Sequence, residues 1–439
     1  MTGRRVAYTN VRLLDPASGL DARGSLLTKG DRIADLGPRL FADGLPSGVD
    51  EVIDGRGRAL MPGLIDMHAS LREPGFEHQE TIASAARAAA AGGVTTIVAT
   101  PDTDPAIDNV ALVEFVARRA RETAAVRILP MACATQDRGG ERMTEMGLMA
   151  EAGAVAFSDG DRPVADALVM RRALSYATAF DLLIIQHVEE PSLVRDGAMN
   201  EGEVAMRLGL PGMPAAAETI MVERDLRLVA LTGGRWHAAS LSTAAAIEAV
   251  RQAKRAGLKI TCGAAPHNFA LNDSDVGEYR TFAKVRPPLR SEADRQAVVA
   301  AIADGTIDVI ASRHAPRDAE SKRLPFVQAA FGAVGLETML PLALGLWQSG
   351  AVPLLRVLEA MTVGPARILK LPQGRLAAGA PADLILVDLE APWRIDEHRL
   401  RSKSKNTPYD GRLVQGRVER TVVAARTVYD RAAEEIRHA

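Results

Sequence analysis

The chain has 439 residues, of which 47% are apolar and 25% charged, with a formal net charge of -2. That length can bury a core sufficient for two or three domains. Basic residues spread along a near-neutral chain leave no electrostatic footprint for nucleic acid. Two cysteines, Cys133 and Cys262, are too few and too far apart for a disulfide framework or a cysteine zinc site, which suits a reducing compartment.

The opening "MTGRRVAYTN" lacks the apolar core of a signal peptide. Through residue 60, short strand-like pieces such as "VAYTNVRLLD" and "GSLLTKGDRIADLG" surround turns, with Gly30 and Asp31 supplying turn chemistry. The stretch "MPGLIDMHASLREPGFEHQETI", Met61 to Ile82, then climbs through an apolar run to Asp66 and His68 and meets a Gly/Pro break after Arg72. In a strand, His68, Ser70 and Arg72 share one face. Two histidines at that spacing would clasp a metal, and only one is present.

Further candidate strands end near Thr100, Cys133, Asp159, Val188, Ser240, Gly263 and Arg313, separated by helical stretches such as "ETIASAARAAAA", "VMRRALSYATAF" and "SEADRQAVVAAIADG". Eight apolar strands alternating with helices over about 310 residues predict an α/β architecture, a (β/α)8 barrel of the TIM type with its active site at the C-terminal strand ends. A doubly wound sheet is disfavoured because no Gly-rich dinucleotide fingerprint or phosphate loop follows an early strand. The most apolar stretch, Ala329 to Trp347, is broken by Glu337 and Pro341. No membrane span is expected, and the chain reads as cytoplasmic. The tail returns to short strands, "ADLILVDLE" and "RVERTVVAARTVYD". Neither end makes a core alone, so residues 1–60 and 373–439 are expected to build one small β-sandwich beside a barrel spanning 61–372.

The candidate site gathers polar residues from the expected strand ends: His68, Ser70 and Arg72; Asp102; Asp159; His187; Ser240; His267; Arg286; Arg313 and His314. Taken singly, a histidine there is more often a hydrogen-bonded structural residue, and Asp159 before Gly160 is as readily a turn or cap. Their shared location at one barrel mouth is what sets them apart. His237, out of phase with Ser240, reads as packing.

The motifs "GLIDMHxxLREPGFEHxETI", "GAVAFSD", "MNEGE" with "RLGLPGMPAAAE", "PPLRSEADRQA", "ADGTIDVIAS" and "GLETMLPL" resemble dihydroorotase, the cyclic-amide hydrolase of pyrimidine biosynthesis in the amidohydrolase superfamily. The resemblance runs over nearly the whole chain. It implies a barrel holding two zinc ions with a His-x-His pair, a bridging Asp, two further His and a final Asp. Carried over by motif, those positions are His68 and Ser70, Asp159, His187, Ser240 and Arg313, so three of the six depart. A serine hydroxyl is not a usual zinc ligand. Arg313 replaces a carboxylate expected to bind metal and take a proton with a guanidinium that does neither. Of the substrate positions the resemblance implies, Arg72 is retained, while Asp102, Arg286 and Arg317 replace two asparagines and a histidine; His267 and His314 complete the expected pocket.

Zinc lowers the pKa of bound water from 15.7 to roughly 7, worth on the order of 12 kcal/mol in making hydroxide. Three expectations follow. The first is a catalytically silent dihydroorotase-like protein with no intact catalytic residue and no cofactor. In it Arg313 fills the metal position against Asp159, His68 or His187, and the barrel is kept as an assembly subunit in a hetero-oligomer with the aspartate transcarbamoylase catalytic chain. The second is a working cyclic amidohydrolase of dihydroorotase, hydantoinase or allantoinase type, with one zinc rebuilt on His68, Asp159 and His187. The third is a binding module for an anionic metabolite, because Arg72, Arg286, Arg313 and Arg317 would face Asp102 and Asp159.

Overall fold

The computed structural model describes residues 3–438. Five strands open the chain: β1 Arg5–Asp15, β2 Leu20–Lys29, β3 Arg32–Gly37, β4 Glu51–Asp54 and β5 Ala59–Pro62. Eight parallel barrel strands follow, β6 Leu64–Ala69, β7 Val94–Ala99, β8 Arg127–Ala132, β9 Ala156–Phe157, β10 Leu183–Gln186, and, after a two-residue parallel pair β11 Met199–Asn200 and β12 Gly212–Met213, β13 Arg235–Ala238, β14 Ile260–Ala264 and β15 Val309–Ile310. The chain closes with β16 Leu384–Arg394, β17 Leu413–Val423 and β18 Arg426–Asp430.

The two chain ends share one sheet, in the order β18-β17-β16-β5-β1-β2-β3, with β4 on β1. The joint is the antiparallel pairing of β5 with β16, where Leu60 faces Leu386 and Met61 faces Ile385. Alternation puts Leu13, Leu26, Ile33, Leu60, Leu384 and Val422 into one apolar cluster, so neither end could bury its apolar face without the other.

The barrel strands run in the order β6-β7-β8-β9-β10-β13-β14-β15, and the ring closes where Ala69 bridges His314 and the Ser70 N–H donates to His314 O at 2.8 Å. Ile65, Met67, Val98, Met131, Ala156, Ile185 and Val309 form a cluster drawn from six different strands. Side chains from strands all around a ring meet only inside it, which makes this the barrel filling. Outside, helix Ile82–Ala91 starts at the Thr81 cap and buries Ala85, Ala86, Ala88 and Ala89. Helix Ala244–Arg255 starts at Thr243 in the same way.

The strands end within a few residues of the expected positions, with one correction. β6 stops at Ala69, so Arg72 is not an extended residue; its φ is 62°. The register of β6 against β7 slips between Asp66 and Ala69. Such a bulge re-aims the side chains that follow it, and His68, Ser70 and Arg72 still face one cavity. The "MNEGE" and "PGMP" motifs form the β11–β12 excursion, pinned by Arg290 Nη1, which donates to Asn200 Oδ1 at 3.0 Å and to Met213 O at 2.9 Å. No helix among the described residues is long and apolar enough to cross a membrane.

Candidate functional site

At the C-terminal ends of the strands lies a cavity of about 230 Å³. His68, Ser70, Arg72, Asp102, His267, Arg286, Arg313, His314 and Arg317 all line it. Asp159, His187 and Ser240 are not among its lining residues; each is buried at its strand end. The sequence reading missed Asp161, Phe331 and Gly332, which line it together with the small apolar residues Val285, Ala315, Ala330 and Ala333.

One side of the mouth is a closed polar network. Ser70 Oγ donates to Asp102 Oδ2 at 2.7 Å, and Arg72 Nη1 reaches the same oxygen at 2.8 Å. Thr100 Oγ1 also donates to Asp102. Burial pushes the Asp102 carboxyl up, but the Arg72 and Arg138 guanidiniums and these hydroxyls outweigh it and hold it well below the usual range.

The opposite side belongs to Arg313, whose φ of 50° lies in the left-handed region that costs a non-glycine residue about 1 kcal/mol or more. Its Nη1 meets His68 Nε2 at 2.5 Å, and its Nη2 donates to Arg286 O at 3.2 Å. A guanidinium only donates, so Nε2 accepts and the His68 proton sits on Nδ1. Burial, then the Arg313 charge, pushes the His68 pKa well down and keeps the ring neutral. His267 is held at about 3 by burial and by Arg313. Arg286 is paired instead with Glu189, Nε to Oε1 at 2.7 Å. Burial raises Glu189, yet His187 and Arg286 outweigh it and hold that carboxyl at about 2.

The expected triad of His68, Asp159 and His187 is not assembled. Asp159 Oδ1 accepts from Thr135 N at 2.9 Å and its other oxygen from Thr135 Oγ1, so its charge is met by the neighbouring strand end. His187 Nε2 faces Glu189 at 3.5 Å. Ser240 Oγ lies 3.5 Å from Asn268 Oδ1. Arg313 bonds to His68 and makes no hydrogen bond or ion pair with Asp159. Among the described residues no group of three His, Cys, Asp or Glu side chains converges as a metal site would require. As arranged, the donors do not fit a zinc ion, and what the site offers chemically comes from its own side chains. The acidic partner expected at Asp159 is supplied by Asp161, which is ion-paired with Arg138.

Several buried polar atoms around the mouth have no partner: His68 Nδ1, Arg72 Nε and His267 Nε2 among the lining residues, and His187 Nε2 behind them. His314 Nδ1 accepts from Gly335 N at 3.2 Å, while its Nε2 stands 3.6 Å from Glu80 Oε2.

A family model described as "Dihydro-orotase-like" matches residues 57–246, and one described as "Amidohydrolase family" matches residues 325–429. A protein of Wolbachia sp. subsp. Drosophila simulans (strain wRi) named Dihydroorotase is 48% identical over 428 residues, covering 97% of this chain and 96% of its own length. One of Pelobacter propionicus, also named Dihydroorotase, is 45% identical and covers 96% and 99%. Among solved structures, the L-hydantoinase (dihydropyrimidinase) of Arthrobacter aurescens superposes with a TM-score of 0.88 at 24% identity, over 98% of this chain and 96% of that one, a likeness of fold.

These relatives overturn the expectation of a catalytically silent assembly subunit. The cavity agrees with them. A barrel retained only for its outer surface gains nothing from a mouth lined with unpartnered buried donors and acceptors, each costing about 1–3 kcal/mol unless a ligand satisfies it. The expectation of no cofactor is overturned with it, since it rested on that silent reading and the chain belongs to a family whose resemblance implies zinc; the donors as arranged here do not by themselves converge on one ion.

Proposed function

Because this chain belongs to the dihydroorotase family, we propose that it is a working cyclic-amide hydrolase of pyrimidine biosynthesis, opening the ring of dihydroorotate. The observation that carries this reading is identity of 45% and 48% along almost the full length of proteins named Dihydroorotase. In the reaction, water adds to the ring carbonyl, the ring C–N bond breaks, and the nitrogen departs with a proton to give a ureido acid. The cavity supports the binding half of this chemistry: it is small, polar and cationic, with Arg72, Arg286, Arg313 and Arg317 against Asp102 and Asp161.

Arg313 is fixed by His68 and by Arg286 O, and a guanidinium so held is a preorganised charge for an oxygen that becomes negative in the transition state. His68 and His267, kept neutral, add hydrogen-bonding groups without adding charge. The test is incubation of the purified full chain with dihydroorotate, with and without added zinc, followed by mass spectrometry. The expected product is heavier by one water. Absence of ring opening under both conditions overturns the reading.

A further inference from the structure

The stretch between β16 and β17 is a connection of the small sheet, and connections normally lie on the surface. Here Ser402, Ser404 and Asn406 alternate inward and are buried, while Lys403 faces out. Each inward side chain bonds to the barrel rather than to the sheet it comes from. Ser402 Oγ donates to Glu80 Oε2, and Lys403 N donates to the same oxygen at 3.1 Å. Ser404 Oγ donates to Gln79 O at 2.7 Å. Asn406 Nδ2 donates to Ala315 O at 3.2 Å and to Gly332 O at 3.0 Å; its Oδ1 accepts from Arg317 N and its backbone carbonyl from Val334 N, both at 3.1 Å. Arg401 anchors the stretch. Its N donates to Glu337 Oε1 at 2.6 Å, its Nη1 to Glu337 Oε2 at 3.1 Å, and its Nε to Glu434 Oε2 at 3.1 Å, on helix Arg431–His438.

These bonds fall where the barrel has little ladder of its own. β15 is two residues long, and beyond it the ring closes through isolated bridges, Ala69 to His314 and His314 to Ala333. The wall that follows, His314, Ala315, Gly332 and Ala333, therefore lacks regular strand pairing, and its backbone groups need partners from elsewhere. All four residues line the cavity. Glu80 reaches the same wall. Fully buried, it takes the Ser402 hydroxyl and the Lys403 N–H and stands 3.6 Å from His314 Nε2.

We propose that residues 401–406 are a strap that shapes the substrate cavity from outside the barrel, with Glu80 and Asn406 as the positioning residues through which it holds the wall. A wall fixed at two points by buried hydrogen bonds presents one cavity shape, so a ligand does not have to order it on binding. The small sheet thus does more than cover the barrel: its β16–β17 connection completes the sector that β15 leaves unfinished. The effect on turnover rests on the hydrolase reading, whereas the hold on the wall does not.

The experiment pairs hydrogen exchange, read by mass spectrometry on the full chain, with dihydroorotate kinetics. Ser402→Ala removes one strap bond and should speed exchange in segments 313–317 and 332–335 by about fivefold, the size of one hydrogen bond. KM for dihydroorotate should rise by a similar factor with kcat little changed, a split that mere loss of folded protein does not produce. Glu434→Ala, at a partly exposed position, frees Arg401 and should speed the same segments. Thr421→Val is the control. Thr421 Oγ1 donates to Ala90 O at 2.6 Å and joins the small sheet to the barrel at the end of helix Ile82–Ala91 remote from Glu80, so its loss should move neither reading. Wall exchange unchanged in a folded strap variant, or raised as much by Thr421→Val, overturns the inference. Turnover in wild type with KM unchanged in Ser402→Ala also overturns it and leaves the hydrolase reading standing. No turnover in wild type, with wall exchange raised only by the strap variants, overturns the hydrolase reading and leaves the inference standing.

Discussion

Two buried polar regions of the barrel, a few strands apart, are treated in opposite ways. Glu218, 1% exposed, accepts from Ser242 N at 2.9 Å, Thr243 N at 2.9 Å and Thr243 Oγ1 at 2.9 Å, and Arg290 stands 4.0 Å away. Both of its oxygens are used, and through Arg290 it holds the β11–β12 excursion. The mouth is just as buried, yet His68, Arg72 and His267 each keep an unpartnered atom there and Arg317 has no counter-ion. Around Glu218 the polarity is saturated and serves the scaffold, whose other unpartnered atoms include Thr96 Oγ1 and Gln373 Oε1, which stand singly. At the mouth several such groups surround one cavity, where a ligand can supply the missing partners.

The comparison is broken most directly at Glu218. Glu218→Ala leaves buried donors and the Arg290 charge without their acceptor, and should cost about 3–5 kcal/mol in urea unfolding. A loss below about 1 kcal/mol would show that this network is not what holds the scaffold.

Glu189 tests the boundary between the two regions. Its folded pKa of about 2 lies below the ordinary value of 4.5, so its charge stabilises the protein fully above the unfolded value, by roughly 3 kcal/mol. That contribution fades as pH falls from about 4.5 towards 2. Urea unfolding measured from pH 6 down to pH 3 should therefore fall less steeply in Glu189→Gln than in wild type. Parallel curves would contradict the assignment.

At the mouth the sign of the argument reverses. His267→Asn removes an unpartnered group and should change stability by no more than about 1 kcal/mol, while dihydroorotate turnover falls. Equal turnover would make His267 a packing residue. The smallest effect concerns metal. Arg313→Asp frees His68 Nε2 and supplies a carboxylate beside it, so zinc affinity, read by competition with a chromophoric chelator, should rise by about tenfold or more. An unchanged affinity would show that Arg313 is not what keeps the remaining donors apart.

The barrel was legible because eight apolar strands alternate with helices along one chain, and the shared sheet because neither end could bury itself. His68, Arg72, Asp102 and Arg313 were legible as mouth residues from their places at strand ends. Their partners were not. Nothing in the spacing shows that Asp159 is met by Thr135 or that Asp161 takes its place on the wall, since one residue of register at a strand end decides which side chain turns inward. Glu189 stood in view two residues after His187. Asn406, whose Oδ1 accepts from Arg317 N at 3.1 Å behind the cavity wall, gave no signal at all, because it lies between β16 and β17, strands of the other sheet. Functional weight was misjudged for a related reason: motif positions were compared one at a time, whereas a cavity's chemistry is the sum of its satisfied and unsatisfied groups.

The central claim is that the unpaired groups of the mouth await a cyclic amide bearing a carboxylate. Initial rates of ring opening for dihydroorotate and for dihydrouracil, measured on the same full-length preparation with zinc supplied, test it most directly. A site built around a buried charge rejects an analogue lacking the partner group, so kcat/KM should favour dihydroorotate by at least about 100-fold. Equal rates for the two rings, or none for either, would contradict the account.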